Sequence, residues 1–409
     1  SKSSLNGAKL CLLLSPLIWV STEYFRAHVF TGFPWCLLGY GFIDSVELVQ
    51  LASYTGVYGL SFLSVASSAV IVGLLFFPSW RYFGCVLLIL GAFFEVIKIV
   101  SIDLNDKDIN KAYARIVQPD IDVEKEWNKE IRIKTLNQLT KLSLNKIEDK
   151  IGSQSMELIV WPETPAPFYY NHDPQFRRRI NQITQKSGTT IVFGFVDFQP
   201  PVSKIGIGQS SSLEPYNSVG IVSPSGKLIS QYDKIHLVPF GEYIPLEEIF
   251  FFIDKISTES GNFQAGKEIV LSSLGSGRRI GTVICYEVIV PDLVRKFVSK
   301  GAELLITVTN DSWFGDTSAP YQHLLMARMR AVENSRYLIR AANSGISAVI
   351  SPRGQVLRKT KLNEIAVLEV PFWWRTEITF YSQWGDIFAY FCLAVTGLLL
   401  IFQYKSNFF

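Results

Sequence analysis

Charged residues are distributed unevenly along this chain of 409 residues. They are sparse before residue 103, ordinary in number from there to residue 376, and sparse again to the end. No charged residue occurs over 48–80, and a helix of about 20 apolar residues crosses a bilayer. The pattern therefore predicts a membrane region, a soluble domain and a second membrane segment, in that order.

We expect four membrane-spanning helices, predicted by the apolar runs at 10–22, 57–77, 82–102 and 387–404. The first run is short and contains Pro16. No small-residue cleavage site follows it, so it is expected to be a span and not a cleaved signal peptide. Glu95 and Lys98 interrupt the third run, but they lie three residues apart on one helical face and can pair.

Basic residues predict the orientation of these spans. Lys2, Lys9, Arg81 and Lys405 all fall at one face of the four-span arrangement, and an excess of basic residues marks the cytoplasmic side. The soluble domain is then expected on the periplasmic side. The predicted organisation is a membrane region of about three spans with a periplasmic loop over 25–55, a soluble domain and a last membrane helix, at 1–111, 112–371 and 372–409.

Within the soluble domain, strand-like runs alternate with helical runs. The predicted strands are 114–118, 158–161, 190–196, 219–222, 228–232, 279–284, 304–309, 337–342, 347–351 and 355–359. The predicted helices are 123–150, 173–188 and 320–335, of which the second has Asp173 as its N-cap and Pro174 at its first position. This alternation, with hairpins late in the chain, is typical of a layered α/β domain.

Composition excludes some classes of function and points to another. A net charge of +3, without a basic run interleaved with aromatic residues, argues against nucleic-acid binding. The four histidines are scattered without ligand spacing, so we expect no metal site. The soluble domain contains a single cysteine, Cys285. A lone thiol in an oxidising compartment cannot pair within its own domain, and a chemical role explains it best.

Three short motifs each follow a predicted strand, where α/β domains place reactive groups. They are Trp161-Pro162-Glu163-Thr164, the segment from Tyr232-Asp233-Lys234 to Glu242, and Ile284-Cys285-Tyr286-Glu287. A carboxylate, an ammonium and a thiol supply the three roles that acyl transfer needs. Glu163 would be the general base and then the general acid, and Cys285 would carry the acyl group. Lys234 would stabilise the oxyanion together with the Tyr286 backbone N–H.

These motifs, in this order, resemble the Glu-Lys-Cys triad of the nitrilase superfamily and, within it, the apolipoprotein N-acyltransferase family. The resemblance covers essentially the whole chain, including Gly32-Phe33-Pro34-Trp35, Asn310-Asp311-Ser312-Trp313-Phe314 and Gln322-His323. It implies a nitrilase-like α-β-β-α sandwich inserted between transmembrane helices. It also implies a multi-pass protein of the bacterial inner membrane with a periplasmic catalytic domain.

The family implies the reaction and its partners. A phospholipid such as phosphatidylethanolamine gives its sn-1 acyl chain to the cysteine, leaving a lysophospholipid. The α-amino group of a diacylglyceryl-cysteine at the end of an apolipoprotein then takes the chain from the thioester. This ping-pong cycle uses no cofactor, neither metal nor nucleotide.

Motif matching also implies supporting residues. Glu242 corresponds to a second active-site carboxylate, and Tyr286 and Glu287 to residues around the nucleophile. Trp127 corresponds to a functional tryptophan on a mobile segment. The family usually has several further spans upstream of the segment that matches residue 1, and this chain is expected to lack them.

Two other functions are compatible with parts of this pattern. A membrane-tethered nitrilase-type amidase could use the same triad on a small C–N substrate, although such a substrate would not need the flanking spans and apolar loops. A scaffold protein could retain an inactive domain of this type, but all three triad residues are present.

Residues 249–253 are apolar and include three Phe. We expect them to enter the outer leaflet beside the acyl entrance, the alternative being that they pack into the core.

Overall fold

The computed structural model describes residues 2–77, 91, 110–122, 127–145, 156–165, 167–200, 213–244 and 263–406. The predicted span at 82–102, apart from residue 91, and the apolar segment 249–253 lie outside these residues. In chain order the helices of the described part are α1 (Lys2–His28), α2 (Ala52–Thr55), α3 (Val57–Phe76), α4 (Lys129–Leu144), α5 (Pro174–Ser187), α6 (Pro291–Ser299), α7 (Ala319–Asn334), α8 (Phe380–Trp384) and α9 (Ile387–Ser406). Short 3-10 helices cover Leu38–Phe42, Leu48–Leu51, Cys285–Ile289 and Asp311–Phe314.

The helices of the two predicted membrane segments pack on one another. Helix α1 contacts both α3 and α9, and Ser21 on α1 donates a 3.0 Å hydrogen bond to the hydroxyl of Thr396 on α9. By length and composition, α3 is the one described helix that could cross a membrane, and Ile387–Phe402 is a shorter apolar helix. Helix α1 is much longer than the predicted 10–22.

Twelve strands form two six-stranded sheets in the described chain. The first has the order β12-β1-β2-β3-β4-β5 and the second β11-β10-β9-β8-β7-β6. The strands are β1 (Lys111–Gln118), β2 (Leu158–Val160), β3 (Thr190–Gln199), β4 (Glu214–Val222), β5 (Leu228–Asp233), β6 (Leu271–Ser273), β7 (Arg279–Ile284), β8 (Leu304–Thr309), β9 (Leu338–Ala342), β10 (Ala348–Ile350), β11 (Val356–Lys359) and β12 (Ala366–Trp373). Strands β1, β2 and β3 are parallel, as are β7, β8 and β9, and the other neighbours are antiparallel.

The alternation of side chains along the strands creates two cores. On β2, Leu158 and Val160 join the core that lies between the sheets, while Ile159 joins a second core on the outer face. Successive strand residues point to opposite faces, so a continuously apolar strand supplies both cores at once. Helices α4 and α5 cover the outer core with Leu139 and Ile180 among others. Helices α6 and α7 pack beside the second sheet, which completes an α-β-β-α sandwich.

The predicted fold class is confirmed, and the predicted strands are all present: 279–284 and 304–309 have the predicted ends, and the others are shifted at one or both ends. Asp173 caps α5 as predicted, accepting hydrogen bonds from the backbone of Gln175 and Phe176. The predicted helix at 123–150 begins only at Lys129, because the Asn128 side chain caps it by accepting from the Ile131 backbone N–H.

Among the strands and longer helices of the sandwich, β6, β12 and α6 were not predicted. Strand β6 (Leu271–Ser273) contains one large apolar residue, so its composition does not mark a strand. Strand β12 contains Pro371 and pairs with β1 at the other end of the domain sequence, so no local signal marks it. Helix α6 could have been found, because Leu293, Val294, Phe297 and Val298 repeat at helical spacing.

A buried ion pair joins helix α7 to the membrane region. Arg330 and Glu333 are both fully buried, and the Arg330 guanidinium lies 3.0 Å from the Glu333 carboxylate. The same carboxylate accepts a 2.9 Å hydrogen bond from the backbone N–H of Val57, the first residue of α3. A carboxylate at a helix amino terminus is favourable because it satisfies a free N–H and opposes the helix dipole. Arg330 also donates to the Tyr40 hydroxyl at 3.2 Å.

We expect Arg330→Ala to lower the free energy of unfolding by about 3–5 kcal/mol, because Glu333 would remain buried without its partner. The measurement is the thermal midpoint, Tm, of purified protein in detergent. Lys296→Ala is the matched control, since the Lys296 side chain is 47% exposed and pairs with Asp292 at the surface. Its expected cost is about 0.2–1 kcal/mol. Equal shifts in Tm would show that the buried pair contributes no more than a surface pair.

Candidate active site

The turn that carries Glu163 follows β2, at the carboxyl end of a parallel strand. Gly194 on the neighbouring strand β3 lies directly against this turn. A Cβ atom at Gly194 would lie 2.7 Å from the Cα of Glu163 and 2.6 Å from the backbone nitrogen of Thr164. These are backbone atoms that cannot swing away, so the close approach requires glycine and fixes the position of Glu163.

Lys234 follows β5 and lies between two carboxylates. Its ammonium nitrogen is 2.8 Å from Glu242 Oε1 and 3.6 Å from Glu163 Oε1. The lysine is 1% exposed and Glu163 7% exposed. A buried charge is tolerated only when it is paired and hydrogen-bonded, and here one cation meets two anions. The structure therefore brings Glu163, Lys234 and Glu242 together, as the sequence predicted.

Further donors hold the two carboxylates. The Asn217 side-chain amide donates to Glu163 at 2.8 Å and to Glu242 at 3.0 Å. The backbone N–H of Asn310 donates to the other Glu163 oxygen at 2.8 Å, and that of Val238 to the other Glu242 oxygen at 2.8 Å. Both carboxylates are therefore held in fixed orientations. The Glu163 carboxylate cannot rotate freely, and the same oxygen always faces Lys234.

Cys285 lies where β7 ends and a short 3-10 helix begins. Its φ of 48° is in the left-handed region, which non-glycine residues adopt mostly where function or tight packing requires it. Burial raises the pKa of the Cys285 thiol to about 12, Glu163 raises it as well, and Lys234 acts in the opposite direction. The thiol is therefore protonated at neutral pH, and a base is needed to activate it.

The two carboxylates and the ammonium are also tuned by their surroundings. Burial and the Glu242 charge raise the pKa of Glu163, while Lys234 and the hydrogen bonds from Asn217 and Asn310 lower it. For Lys234, burial lowers the pKa but the two carboxylates outweigh it, so the net pKa is raised and the amine stays charged. The site thus combines a carboxylate base with a permanent cation and a neutral thiol.

Glu287 connects the lysine loop to the cysteine turn. Its carboxylate accepts from the backbone N–H groups of Ile235 and Ile284, both at 2.7 Å, and from His236 at 3.0 Å. The Tyr232 hydroxyl donates to it at 2.7 Å. Burial raises the pKa of Glu287 to about 7, and the hydrogen bonds from Ile284, His236 and Tyr232 counter that effect. Since the contacts span both loops, Glu287 fixes the distance between Lys234 and Cys285.

Of the two remaining predicted residues, Tyr286 lies beside this cluster and Trp127 lies apart from it. The Tyr286 ring stacks on the ring of His236 with centroids 5.7 Å apart, next to the nucleophile. Trp127 lines a cavity with Arg132, Phe168 and other residues of the outer layer, and none of the triad residues lines that cavity. The structure therefore brings Tyr286 and Glu287 to the triad but does not bring Trp127 to it.

Two contributions at the site could not be read from the chain. Asn217 was not predicted, because a polar residue within β4 carries no local mark of function. His323 was not among the predicted site residues, and its Nε2 lies 3.2 Å from the carbonyl oxygen of Cys285. Within the described residues, no group of three or more His, Cys, Asp or Glu side chains is placed to hold a metal ion.

Two protein families match separate parts of the chain. Residues 113–372 match the carbon-nitrogen hydrolase family. Residues 3–70 match the apolipoprotein N-acyltransferase N-terminal domain. The first match covers the sandwich, and the second covers α1, α2 and most of α3.

Full-length relatives agree with these matches. An apolipoprotein N-acyltransferase of Geobacter metallireducens is 36% identical over 411 residues, which cover 97% of this chain and 75% of the relative. One from Rhodopseudomonas palustris is 31% identical over 93% of this chain and 72% of the relative. Among solved structures, a branch 10 nitrilase-superfamily protein of Saccharomyces cerevisiae has a TM-score of 0.47 and 18% identity, covering 64% of this chain and 90% of that one.

We expect iodoacetamide to alkylate Cys285 slowly at pH values where an ordinary cysteine, with a pKa of about 8.5, is already half ionised. The raised pKa keeps the thiolate fraction low until the pH approaches 12. Peptide mass spectrometry of the Cys285 peptide across a pH series measures this, with N-acetylcysteine as the reference thiol.

Two variants should move this profile in opposite directions. Glu163→Gln removes an anion that raises the thiol pKa and should shift the profile to lower pH. Lys234→Met removes a cation that lowers the thiol pKa and should shift it to higher pH. A wild-type profile like that of N-acetylcysteine, or shifts of the same sign in both variants, would contradict this account of the site.

Proposed function

The chain belongs to the apolipoprotein N-acyltransferase family of the nitrilase superfamily, and on that premise we propose that it carries its acyl group as a thioester on Cys285. The observation that carries this proposal is the position of the Lys234 ammonium, 2.8 Å from the Glu242 carboxylate and 3.6 Å from that of Glu163. The ammonium is also close enough to Cys285 to counter part of the rise in the thiol pKa that burial causes. The buried base and cation follow β2 and β5, and the half-buried nucleophile follows β7.

In the first half-reaction, Glu163 takes the proton from the Cys285 thiol as Sγ attacks the ester carbonyl of a phospholipid. A new C–S bond forms, and the carbonyl oxygen becomes an oxyanion. The C–O bond to glycerol then breaks, and Glu163 returns the proton to the departing oxygen, which leaves as lysophospholipid. The raised pKa of Glu163 supports this dual role, because it brings the carboxyl closer to the pH at which it must both take and give a proton.

Lys234 stabilises the oxyanion, and the Tyr286 backbone N–H is the second donor. The pKa of Lys234 is raised by Glu242 and Glu163, so the ammonium is charged throughout the cycle. Tyr286 lies in the first turn of the 3-10 helix at Cys285–Ile289, where N–H groups have no acceptor within the helix. Donors aimed at developing negative charge are worth more in a buried site than in water.

The supporting residues act by holding this geometry. Glu242 orients Lys234 through its 2.8 Å contact. Glu287 ties the lysine loop to the cysteine turn, and Tyr286 packs on His236 beside the nucleophile. Trp127 acts at a distance from the triad, where its cavity in the outer layer can receive part of a substrate.

In the second half-reaction, the α-amino group of a diacylglyceryl-cysteine attacks the thioester. Glu163 accepts a proton from the amine, an amide C–N bond forms, and the C–S bond breaks. The proton goes to Sγ and restores the thiol. The donor is a phospholipid of the phosphatidylethanolamine type, and the acceptor is an apolipoprotein, so the cycle is ping-pong and needs no cofactor.

The protein acts in the bacterial inner membrane as a multi-pass protein. Residues 1–111 and 372–409 form its membrane region, and 112–371 its catalytic domain on the periplasmic side. Support comes from the apolar helix α3, the match of residues 3–70 to the family's N-terminal domain, and the basic residues expected at the cytoplasmic face. A small soluble substrate would not need a membrane region of this size. These features therefore disfavour the alternative of a membrane-tethered amidase.

We expect a thioester-linked acyl chain on Cys285 when the purified protein receives phospholipid and no acceptor. Mass spectrometry of the intact protein detects the adduct, and neutral hydroxylamine should release it.

Glu163→Gln keeps the shape of the side chain but removes the base, so acylation should fall by about 10²–10⁴-fold. Lys234→Met should abolish turnover while phospholipid binding remains measurable.

Cys285→Ala is the control for the site of attachment. No adduct on the wild type, or the same adduct on Cys285→Ala, would exclude the covalent route through this residue. Acylation of Glu163→Gln at the wild-type rate would remove Glu163 from the role of base.

We expect the catalytic domain to face the periplasm. In a variant whose five native cysteines are replaced, one new cysteine is placed either at Lys227, in the exposed turn between β4 and β5, or at Arg81. A membrane-impermeant thiol reagent applied to spheroplasts should label the first and not the second. The opposite labelling pattern would reverse the topology and exclude a role in lipoprotein maturation.

A further inference from the structure

The ring of His323 lies directly behind the nucleophile. His323 is in the first turns of α7 and is fully buried. Its Nε2 is 3.2 Å from the carbonyl oxygen of Cys285. A carbonyl oxygen can only accept a hydrogen bond, so Nε2 must carry a proton and donate it.

The other ring nitrogen is held by a buried ion pair. Nδ1 lies 3.2 Å from the Arg340 guanidinium and 3.1 Å from the Asp311 carboxylate, and these two side chains form an ion pair with each other. Burial and the Arg340 charge lower the pKa of His323. A neutral ring has one proton, and the Cys285 carbonyl requires it on Nε2, so Nδ1 accepts from Arg340. The Asp311 carboxylate, which can only accept, is satisfied by Arg340 and by the Thr309 hydroxyl instead. The surroundings therefore select the tautomer that binds the Cys285 carbonyl.

The two faces of the ring are fixed as well. Trp35 stacks on His323 with centroids 5.7 Å apart, and Phe314 meets it edge-on at 6.1 Å. The indole N–H of Trp35 donates to the side chain of the neighbouring Gln322 at 2.7 Å. The imidazole thus cannot tilt away from the cysteine without breaking contacts to the loop that follows α1.

The orientation of the Cys285 carbonyl matters because of peptide planarity. The Cys285 C=O and the Tyr286 N–H belong to one planar unit and point in opposite directions. If the carbonyl turns, the N–H turns with it. Rotation about ψ of Cys285 and φ of Tyr286 would turn both groups together, and the N–H would then point away from the substrate.

We propose that His323 is a positioning residue that holds the Cys285–Tyr286 peptide so that the Tyr286 N–H faces the reacting carbonyl. His323 does not touch the substrate. It acts through the peptide, and the Asp311–Arg340 pair acts through His323. The proposal rests on the proposed acyl-transfer function, in which the Tyr286 N–H is an oxyanion donor.

The test compares His323→Met with His323→Gln in the full-length protein. Met has a similar volume but no donor, whereas Gln keeps an N–H donor at a similar reach. The readouts are the rate of Cys285 acylation by a water-soluble p-nitrophenyl ester, the rate of Cys285 alkylation by iodoacetamide, and Tm. Alkylation proceeds without an oxyanion, so it reports the access and ionisation of the thiol alone.

We expect His323→Met to reduce acylation by about 10²–10³-fold, the loss that follows removal of one oxyanion donor. The reduction should fall on kcat with little change in KM, alkylation should change little, and His323→Gln should restore much of the acylation rate. His28→Met, at an exposed histidine of α1, controls for the substitution itself. Wild-type acylation in His323→Met would overturn the proposal, as would equal losses in acylation, alkylation and Tm in both variants. If the wild type is acylated by the soluble ester but not by phospholipid, the proposed function fails while the His323 comparison still holds.

Discussion

The buried ammonium of Lys234 is the constraint on which the rest of the site depends. A charge that is 1% exposed is stable only with compensating partners, and Glu163 and Glu242 supply two. Two anions around one cation then need further donors, which Asn217 and backbone N–H groups provide. The surplus of negative charge also acts on Cys285, because Glu163 raises the pKa of its thiol. The same arrangement that stabilises the lysine therefore keeps the nucleophile neutral until a substrate arrives.

The sheet topology explains why these groups can meet. Parallel strands end at the same edge, so β2 and β3 in one sheet, and β7 and β8 in the other, direct their following turns toward one region. Glu163 follows β2, Cys285 follows β7, and the Asn310 backbone that binds Glu163 follows β8. Glu287 then links the lysine loop to the cysteine turn. The site is a seam between two sheets, held together by hydrogen bonds that cross it.

Helix α7 connects this seam to the membrane region. Near one end, His323 contacts the Cys285 carbonyl and packs against Trp35 of the loop after α1. At the other end, Glu333 caps the first turn of α3 and pairs with Arg330. One cluster of buried apolar residues also runs from the membrane helices into the sandwich. The nucleophile is thus built partly on the membrane region, which is consistent with an enzyme whose donor substrate is a lipid.

The sequence by itself determined the features that depend on nearby residues. Charge distribution gave the predicted order of membrane and soluble segments, strand-like runs predicted ten of the twelve described strands, and residue type at strand ends gave Glu163, Lys234 and Cys285 as candidates. Tertiary structure decided the features that depend on distant residues. Asn217 lies 54 positions from Glu163, and His323 lies 38 from Cys285. A buried asparagine or histidine has no local pattern of its own, because its role is set by whichever atoms the fold brings against it. The same holds for strand β12, whose place in the sheet comes from pairing with β1 at the opposite end of the domain.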